Sequence, residues 1–218
     1  MKREIDRLKE MLMSLCEVVE KNLRRAVESI RKRDAELAKK VIDMDVEIDH
    51  LEVDMEEECL KILALYQPVA IDLRFIITAM KINNDLERIG DLAVNLAEHS
   101  IFLAGRPKTN VPFDFDAMIE KTELMLRKSL DALVKMDSKL AYEVCAADDE
   151  IDAMDRQMQL IAQDAVHTYP DQTECLMHLR SASSHLERVA DHATNIAEDV
   201  IYMIEGRIVR HKVENYKS

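Results

Sequence analysis

A thirteen-residue segment occurs twice in this chain, and the repeat constrains the architecture more than any other feature of the sequence. Residues 86–98 read LERIGDLAVNLAE and residues 186–198 read LERVADHATNIAE, with eight of the thirteen positions identical. A second pair, DVEIDHLE from Asp45 and DDEIDAMD from Asp148, repeats with an offset of 103 residues. Self-similarity at a fixed period indicates an internal duplication. The sequence therefore predicts two copies of one structural unit.

The composition favours long helices over strands. The 218 residues include only three Gly and four Pro, and aromatic residues make up 4% of the chain. Leu, Met, Ala, Glu and Lys are abundant, whereas the clusters of Val, Ile, Thr and Tyr between turn residues that are typical of strands are missing. We therefore predict an all-α protein.

The hydrophobic pattern divides the chain into six helices. It predicts helices over about residues 3–33, 35–66, 68–105, 115–135, 138–169 and 172–205. Residues 105–116, GRPKTNVPFDFD, contain one Gly and two Pro and form the predicted linker. Short turns make neighbouring helices antiparallel. We predict two tandem three-helix bundles, one over residues 1–107 and one over residues 108–218, the second ending in a short C-terminal tail.

Charge and hydropathy exclude some classes of protein. The net charge of −13 disfavours a nucleic-acid partner, because phosphate backbones bind clustered Lys and Arg. No run of about 18 uncharged apolar residues occurs, and the charged N-terminal segment lacks the apolar region of a signal peptide. The four scattered cysteines are then expected to be reduced and partly buried. These features predict a cytoplasmic protein without membrane insertion.

Acidic and amide side chains recur in both copies at positions that a hydrophobic core does not need. An advance of about 100° per residue places them in one stripe on each helix, outside the apolar seam. The first copy has Asp45, Asp49 and Glu52 on the second helix, and Glu87, Asp91 and Asn95 on the third. The second copy has Asp148, Asp152 and Asp155 on the fifth helix, and Glu187, Asp191 and Asn195 on the sixth.

Carboxylates four residues apart lie one turn apart and repel each other, so these stripes need positive charge. Arg88 and Arg188 lie beside the motifs but about 100° from the acids, and we expect them to neutralise poorly. Carboxylates that bridge two helices can hold hard cations such as Mg²⁺ or Mn²⁺, or iron. The alternative is a solvated helix face with local ion pairs, and it stays open at this stage.

Histidines and catalytic motifs give no sign of a second kind of site. His178, His185 and His192 are spaced by seven residues on the flank opposite the acids, which favours a packing or interface role over metal ligation. Gly-rich phosphate loops, GxSxG and HExxH are missing, as are the paired Glu-x-x-His ligands of di-iron bundles. We predict that the chain is not an enzyme. A carboxylate-bridged metalloenzyme and a metal-free helical scaffold remain alternatives.

The sequence resembles the PhoU family of phosphate regulators over nearly its whole length except the tail. Residues 65–98 carry the resemblance, in the segments QPVAIDLR and DLERIGDLAVNLAE. The resemblance implies a PhoU-like, spectrin-repeat-like fold and a homodimer. It implies a negative regulator of the phosphate-starvation regulon and an accessory modulator of phosphate ABC transport. The implied partners are the transporter ATPase, PstB, and the sensor histidine kinase, PhoR.

The resemblance also implies metal binding through ExxxD-type motifs. Family members bind iron or zinc in some cases and Mg²⁺ or Mn²⁺ in others. The matching positions are Glu87 with Asp91, Glu187 with Asp191, Asp45 with Asp49, and Asp148 with Asp152. In the second copy ECLMHLRS replaces AIDLRFII, so the pattern predicts the first-half site more strongly than the second-half site.

Overall fold

The structure is a computed structural model that describes residues 1–109 and 112–209. Six long helices make up most of these residues, and no strand occurs among them. The helices are α1 (Lys2–Lys32), α2 (Ala35–Tyr66), α3 (Ala70–Ala104), α4 (Phe115–Lys135), α5 (Ser138–Thr168) and α6 (Thr173–Glu205). The predicted all-α class and the order of helices are confirmed. The predicted C-terminal tail beyond residue 209 lies outside the described residues.

Capping chemistry sets several of the helix ends. The side chains of Asp34 and Asp137 accept backbone N–H groups at the starts of α2 and α5. Gly206 ends α6 in the left-handed conformation, with φ of 72°, which glycine adopts without a Cβ clash. Two details differ from the prediction. Pro68 precedes α3 instead of occupying its first turn, and Gly105 ends α3 with an ordinary φ of −87°.

Each half is a three-helix bundle around an apolar seam. Helices α1, α2 and α3 pack on one another, and so do α4, α5 and α6. Fully buried apolar side chains of the first bundle include Leu8, Leu15, Ile48, Met55, Ile76 and Leu86, and those of the second include Met118, Val144, Met158, Leu186 and Ile196. The predicted pair of bundles is confirmed.

The two bundles join along α3 and α6. Ion pairs and hydrogen bonds across this seam connect Lys81 with Asp199, Asp85 with His192, His99 with His178, and Arg106 with Glu174. Residue numbers rise along α3 as they fall along α6, so the two helices are antiparallel. Buried residues of both bundles belong to one continuous core. That each half, 1–107 or 108–218, folds on its own stays a prediction.

Two further sequence expectations concern the membrane and the cysteines. Within residues 1–109 and 112–209, no helix is both long and apolar enough to cross a bilayer. The four cysteines are free and buried, in agreement with the prediction. Burial raises the pKa of Cys16, Cys59 and Cys145 to about 12. These thiols therefore stay protonated near neutral pH and lack the thiolate character of reactive cysteines.

Candidate metal centre

In the first half, acids of α2 and α3 interact across one groove, which we call the α2/α3 groove. Partial burial, and then the charges of Asp49 and Asp91, raise the pKa of Asp45 to about 6. Partial burial and the charge of Asp91 also raise the pKa of Glu87. The pKa of Glu52 rises for the same kinds of reason, burial first. The carboxylates of the two helices therefore repel one another in their ionised forms.

Helix α2 approaches α3 closely at Gly90, because this residue has no side chain. A Cβ atom at this position would lie 3.2 Å from Cγ2 of Ile48 and 3.4 Å from Oδ1 of Asp45. Ile48 is fully buried and has little room to move. Gly90 therefore lets the Asp45 carboxylate lie against α3. The duplicated position in the second half carries Ala190.

The second half brings three carboxylates together between α5 and α6, in what we call the α5/α6 acid cluster. Oxygen atoms of Asp148, Asp152 and Asp191 all lie within 4.8 Å of one another. Oxygen ligands about 2.1 Å from a Mg²⁺ ion are at most about 4.2 Å apart, so a small contraction would place all three around one cation. Within the described part of the chain, no other group of His, Cys, Asp or Glu side chains is this close.

Carboxylates around this cluster also have raised pKa values. Burial, and then nearby aspartates with Asp191 first, raise the pKa of Glu187 to about 7. Burial raises the pKa of Asp148 to about 6, although a hydrogen bond from Thr194 opposes the rise. Burial and the charge of Asp152 raise the pKa of Asp191. Each shift means that burial, and then the nearby negative charges, disfavour the ionised form of the carboxylate.

Polar side chains of α3 and α6 donate hydrogen bonds to Glu52 on α2 and to Asp155 on α5. Asn83 donates to Oε1 of Glu52 at 3.1 Å. In the second half, Ser183 donates to Oδ1 of Asp155 at 2.8 Å and Arg180 at 2.9 Å. The contact repeats, because residues 83 and 183 are 100 apart and residues 52 and 155 are 103 apart. Apolar periodicity did not identify these partners, although the two offsets align them.

Arginine side chains neutralise part of the acids, and the prediction for Arg88 is wrong. Its guanidinium lies 3.1 Å from Oδ2 of Asp91 and 3.3 Å from Oε2 of Glu87. The prediction used the helical angle alone, whereas a long Arg side chain reaches well beyond the direction of its Cβ. The buried Oε2 of Glu87 still receives no hydrogen bond. In the second half, Arg156 lies 3.3 Å from Asp152.

The structure places one predicted amide ligand elsewhere. Asn195 donates to Oδ1 of Asp85 at 3.3 Å. Asp85 belongs to α3, so the Asn195 amide faces the seam between the bundles and not the α5/α6 acid cluster. This contact uses the amide nitrogen, whereas a metal would bind the amide oxygen, so the assignment of Asn195 as a metal ligand stays a prediction. Its neighbour Thr194 contacts the cluster instead, donating to Asp148 at 3.1 Å. Asn95 is partly buried on α3, and its assignment stays a prediction.

The three histidines of α6 lie at the interface with α3, which confirms the prediction from their flank. Nδ1 of His192 lies 2.8 Å from Asp85, and Nδ1 of His178 lies 2.9 Å from Nδ1 of His99. The ring of His185 stacks on that of His99, with 5.2 Å between centroids. His99 was not identified from the sequence, because nothing there showed that α3 and α6 are neighbours.

The acids of each groove fit a divalent cation by charge and by ligand type. Carboxylate oxygens are the donors that Mg²⁺ and Mn²⁺ prefer, and iron also binds them. Burial first, and then neighbouring carboxylates, raise the pKa values of these acids, and the buried Oε2 of Glu87 has no hydrogen bond. A bound cation would supply the missing charge.

Metal-free protein is expected to lose stability as the pH rises from about 4 to about 7. Asp45 and Asp148 have pKa values of about 6, and Glu187 one of about 7. Unfolded Asp and Glu have pKa values of about 4, so these groups bind protons more tightly in the folded state. Their stabilising contribution is complete below about pH 4 and disappears as the pH passes the folded pKa values.

Urea unfolding of chelator-treated protein between about pH 4.5 and about pH 7.5, a range that brackets these pKa values, measures this effect. The unfolding midpoint should fall across the range, and added Mn²⁺ should restore it at the upper end. A midpoint that rises steadily with pH in the absence of metal would contradict the prediction.

Comparison with known proteins shows the same repeat. The sequence profile of the PhoU domain matches residues 12–100 and again residues 115–200. The phosphate-specific transport system accessory protein PhoU homolog of Aquifex aeolicus is 39% identical over 210 residues, covering 96% of this chain and 95% of the relative. PhoU homolog 1 of Thermotoga maritima is 33% identical over 217 residues, covering 99% and 94%.

Two crystal structures are similar along nearly the whole fold. That of PhoU from Pseudomonas aeruginosa has a TM-score of 0.90 and 32% identity, and the match covers 94% of this chain and 99% of that one. That of the phosphate transport system regulatory protein PhoU from Streptococcus pneumoniae has a TM-score of 0.83 and 26% identity, with 95% and 98% covered. The two profile matches fall on the two bundles described above.

Proposed function

Because the chain belongs to the PhoU family, we propose that it is an accessory protein of phosphate transport and a regulator of phosphate homeostasis. Its relatives from Aquifex aeolicus and Escherichia coli bear the name phosphate-specific transport system accessory protein. In our proposal the protein restrains phosphate-starvation genes when phosphate is plentiful. It acts in the cytoplasm on a transporter ATPase, a sensor histidine kinase or both.

The main structural support for cation binding in this proposal is the α5/α6 acid cluster. Asp148, Asp152 and Asp191 supply three carboxylates from two helices to one point. A cation bound there would neutralise their mutual repulsion and hold α5 and α6 at a set distance. Thr194 would keep the Asp148 carboxylate oriented through its hydrogen bond. Asp45, Asp49, Glu87 and Asp91 would play the corresponding part in the α2/α3 groove.

Binding, and not catalysis, is the proposed mode of action. The protein would present a groove that is strongly negative without metal and closer to neutral with it, so metal occupancy would change which surface a partner meets. Charge complementarity of this kind sets specificity and association rate more than raw affinity. The turn between α2 and α3 also exposes the apolar residues Leu65, Val69 and Ile71, which supports association with another protein. The homodimer stays a prediction.

A genetic experiment tests the proposal. Deletion of the gene should derepress phosphate-scavenging genes in phosphate-rich medium, and the wild-type chain should restore repression. A chain with Glu87→Gln and Asp91→Asn should accumulate normally, lose metal from the first half only and fail to restore full repression. The matched control is Asp54→Asn with Asp164→Asn, which removes two negative charges from exposed positions outside both grooves.

Each outcome of this experiment decides one part of the proposal. Unchanged expression in the deletion strain would contradict the regulatory role. Full repression by a groove variant that has lost its metal would leave the regulatory role standing but favour the metal-free scaffold. Turnover of a substrate by the metal-loaded protein, lost in the groove variant, would favour the metalloenzyme.

A further inference from the structure

Three histidines form a cluster in the seam between the two bundles, separate from the α2/α3 groove and the α5/α6 acid cluster. We call His99, His178 and His185 the histidine cluster. Nδ1 of His99 lies 2.9 Å from Nδ1 of His178, and their rings meet edge to face at an angle of 83°. The ring of His185 stacks on that of His99 at an angle of 18°. One histidine thus comes from the first bundle and two come from the second.

The imidazoles of this cluster favour the neutral form, which is the form that ligates metals. Burial, and then the neighbouring rings of His185 and His178, lower the pKa of His99 to about 4. Burial is also the main cause that lowers the pKa of His178 and His185. The charged groups that act on the cluster are Glu174 and Arg106 at His178, and Arg188 at His185.

One nitrogen atom of the cluster has unused bonding capacity. The contact between the two Nδ1 atoms requires one of them to be unprotonated and to present its lone pair to the other. Nδ1 of His185 is buried and has no hydrogen-bond partner in the structure. Buried polar atoms without partners are uncommon and call for a physical explanation. A shared cation would accept the lone pair of the unpartnered His185 nitrogen, together with lone pairs of the two Nδ1 atoms that now share one hydrogen bond.

We infer that the histidine cluster is a binding site for a divalent transition-metal ion, with Zn²⁺ as the ion that fits its donors best. Two nitrogens about 2.0–2.1 Å from Zn²⁺ at a tetrahedral angle are about 3.3–3.4 Å apart. The His99 and His178 nitrogens, 2.9 Å apart, need to separate only slightly to admit the ion. The three side chains do not present nitrogens that all lie within 4.8 Å of one another, so His185 would become the third ligand only after rotation of its side chain about the torsions that now stack it on His99.

Neighbouring side chains support the positions of these ligands. The ring of Phe102 stacks on His178 with 3.5 Å between centroids, and the guanidinium of Arg106 lies 3.4 Å from the centroid of Phe102. Glu174 lies one turn before His178 on α6 and 3.5 Å from Arg106. Its carboxylate or a water molecule would occupy the fourth position around the ion. The resulting site has mainly nitrogen donors, which suit zinc, nickel and copper better than magnesium or manganese.

A metal at this position would connect the bundles. His99 lies on α3 and the other two ligands lie on α6, so the ion would stabilise the seam and not the interior of either bundle. Binding to the folded protein raises its stability in proportion to the logarithm of ligand concentration over Kd. The ion would therefore raise the melting temperature of the full chain without involving the oxygen ligands of the acid grooves.

The test uses the full chain after treatment with a chelator, in a large excess of Mg²⁺ that occupies the oxygen sites. Zn²⁺ and Co²⁺ are the probes. Wild-type protein should bind one equivalent of either ion, and Co²⁺ should show the intense visible absorption of a tetrahedral site. His99→Asn with His178→Asn should weaken this binding at least about 100-fold. Loss of a residue that only hydrogen-bonds to a metal ligand already lowers metal affinity about 10- to 100-fold. His50→Asn, an exposed histidine on α2, is the matched control.

A second measurement does not depend on any variant folding. The chain has seven histidines, and Zn²⁺ should shift the proton NMR signals of three of them in the wild-type protein. Shifts confined to other histidines would overturn the inference, as would Zn²⁺ affinity unchanged in the folded double variant. Absence of Zn²⁺ binding under excess Mg²⁺ would also overturn it. Asp148→Asn with Asp191→Asn should leave the Zn²⁺ equivalent in place, so this result is independent of the proposed regulatory function.

Discussion

Replacement of Asp148 and Asp191 together by asparagine is expected to abolish cation binding in the second half and to stabilise the metal-free protein. Asparagine keeps the shape and still accepts the hydrogen bond from Thr194, but it removes two of the three clustered charges. Relief of like-charge repulsion is worth on the order of 0.5 kcal/mol, or a rise of about 1–2 °C in melting temperature. Affinity for Mn²⁺ should fall at least about 100-fold.

The opposite signs of the two effects make this prediction specific. Binding is measured by metal analysis and calorimetry on chelator-treated protein, and stability by thermal unfolding with and without Mn²⁺. The control, Asp54→Asn with Asp164→Asn, changes the net charge equally and should leave Mn²⁺ binding intact. A variant that keeps its Mn²⁺ would contradict the site. A variant that loses stability without metal would show that the acids act as ordinary ion-pair partners.

Gly90→Leu is expected to separate α2 from α3, destabilise the chain and weaken cation binding in the α2/α3 groove. Even a Cβ atom at this position would lie 3.2 Å from the fully buried Ile48, so a larger side chain must displace α2 and, with it, Asp45. Overpacking of this kind costs about 1–3 kcal/mol. For a chain of this length, that corresponds to a fall of roughly 3–10 °C in melting temperature.

Gly90→Ala is the matched control, because the second half carries alanine at the duplicated position. The gain in helix propensity, about 1 kcal/mol, opposes the crowding, so this variant should stay close to wild type. In Gly90→Leu, cation binding at the α5/α6 acid cluster should be unchanged. Equal loss of binding in both halves would instead indicate general unfolding. Wild-type stability in Gly90→Leu would show that α2 and α3 do not need their close approach.

The sequence predicted the helices well because the signals that define them are local. Apolar periodicity identifies the buried face of a helix, and Asp34 and Asp137 identify helix starts through their own side chains. The repeat then showed that the six helices form two equivalent sets. Asp148, Asp152 and Asp191 were identified from the same repeat, since both copies keep acids at those positions. Their convergence needed only that α5 and α6 be neighbours, which a short turn ensures.

The sequence did not predict what depends on side-chain reach or on packing between the bundles. An angle around the helix axis gives the direction of Cβ, whereas the guanidinium of Arg88 ends several ångströms away, beside Asp91. The same angle placed Asn195 next to Asp191 but could not reveal that α3 lies on that side. His99 was overlooked for the same reason. The partner helix of a given face is a tertiary property, and no periodicity within one helix encodes it.

The antiparallel seam between α3 and α6 gives one polypeptide the approximate twofold symmetry of a dimer. In a true homodimer every substitution occurs twice, so both copies of a site must change together. Here the two copies belong to one chain but are encoded by separate parts of one gene, so each has diverged independently. Gly90 corresponds to Ala190, and Asn83 corresponds to Ser183. One gene can therefore change the acids of its two grooves independently while it preserves a single fold.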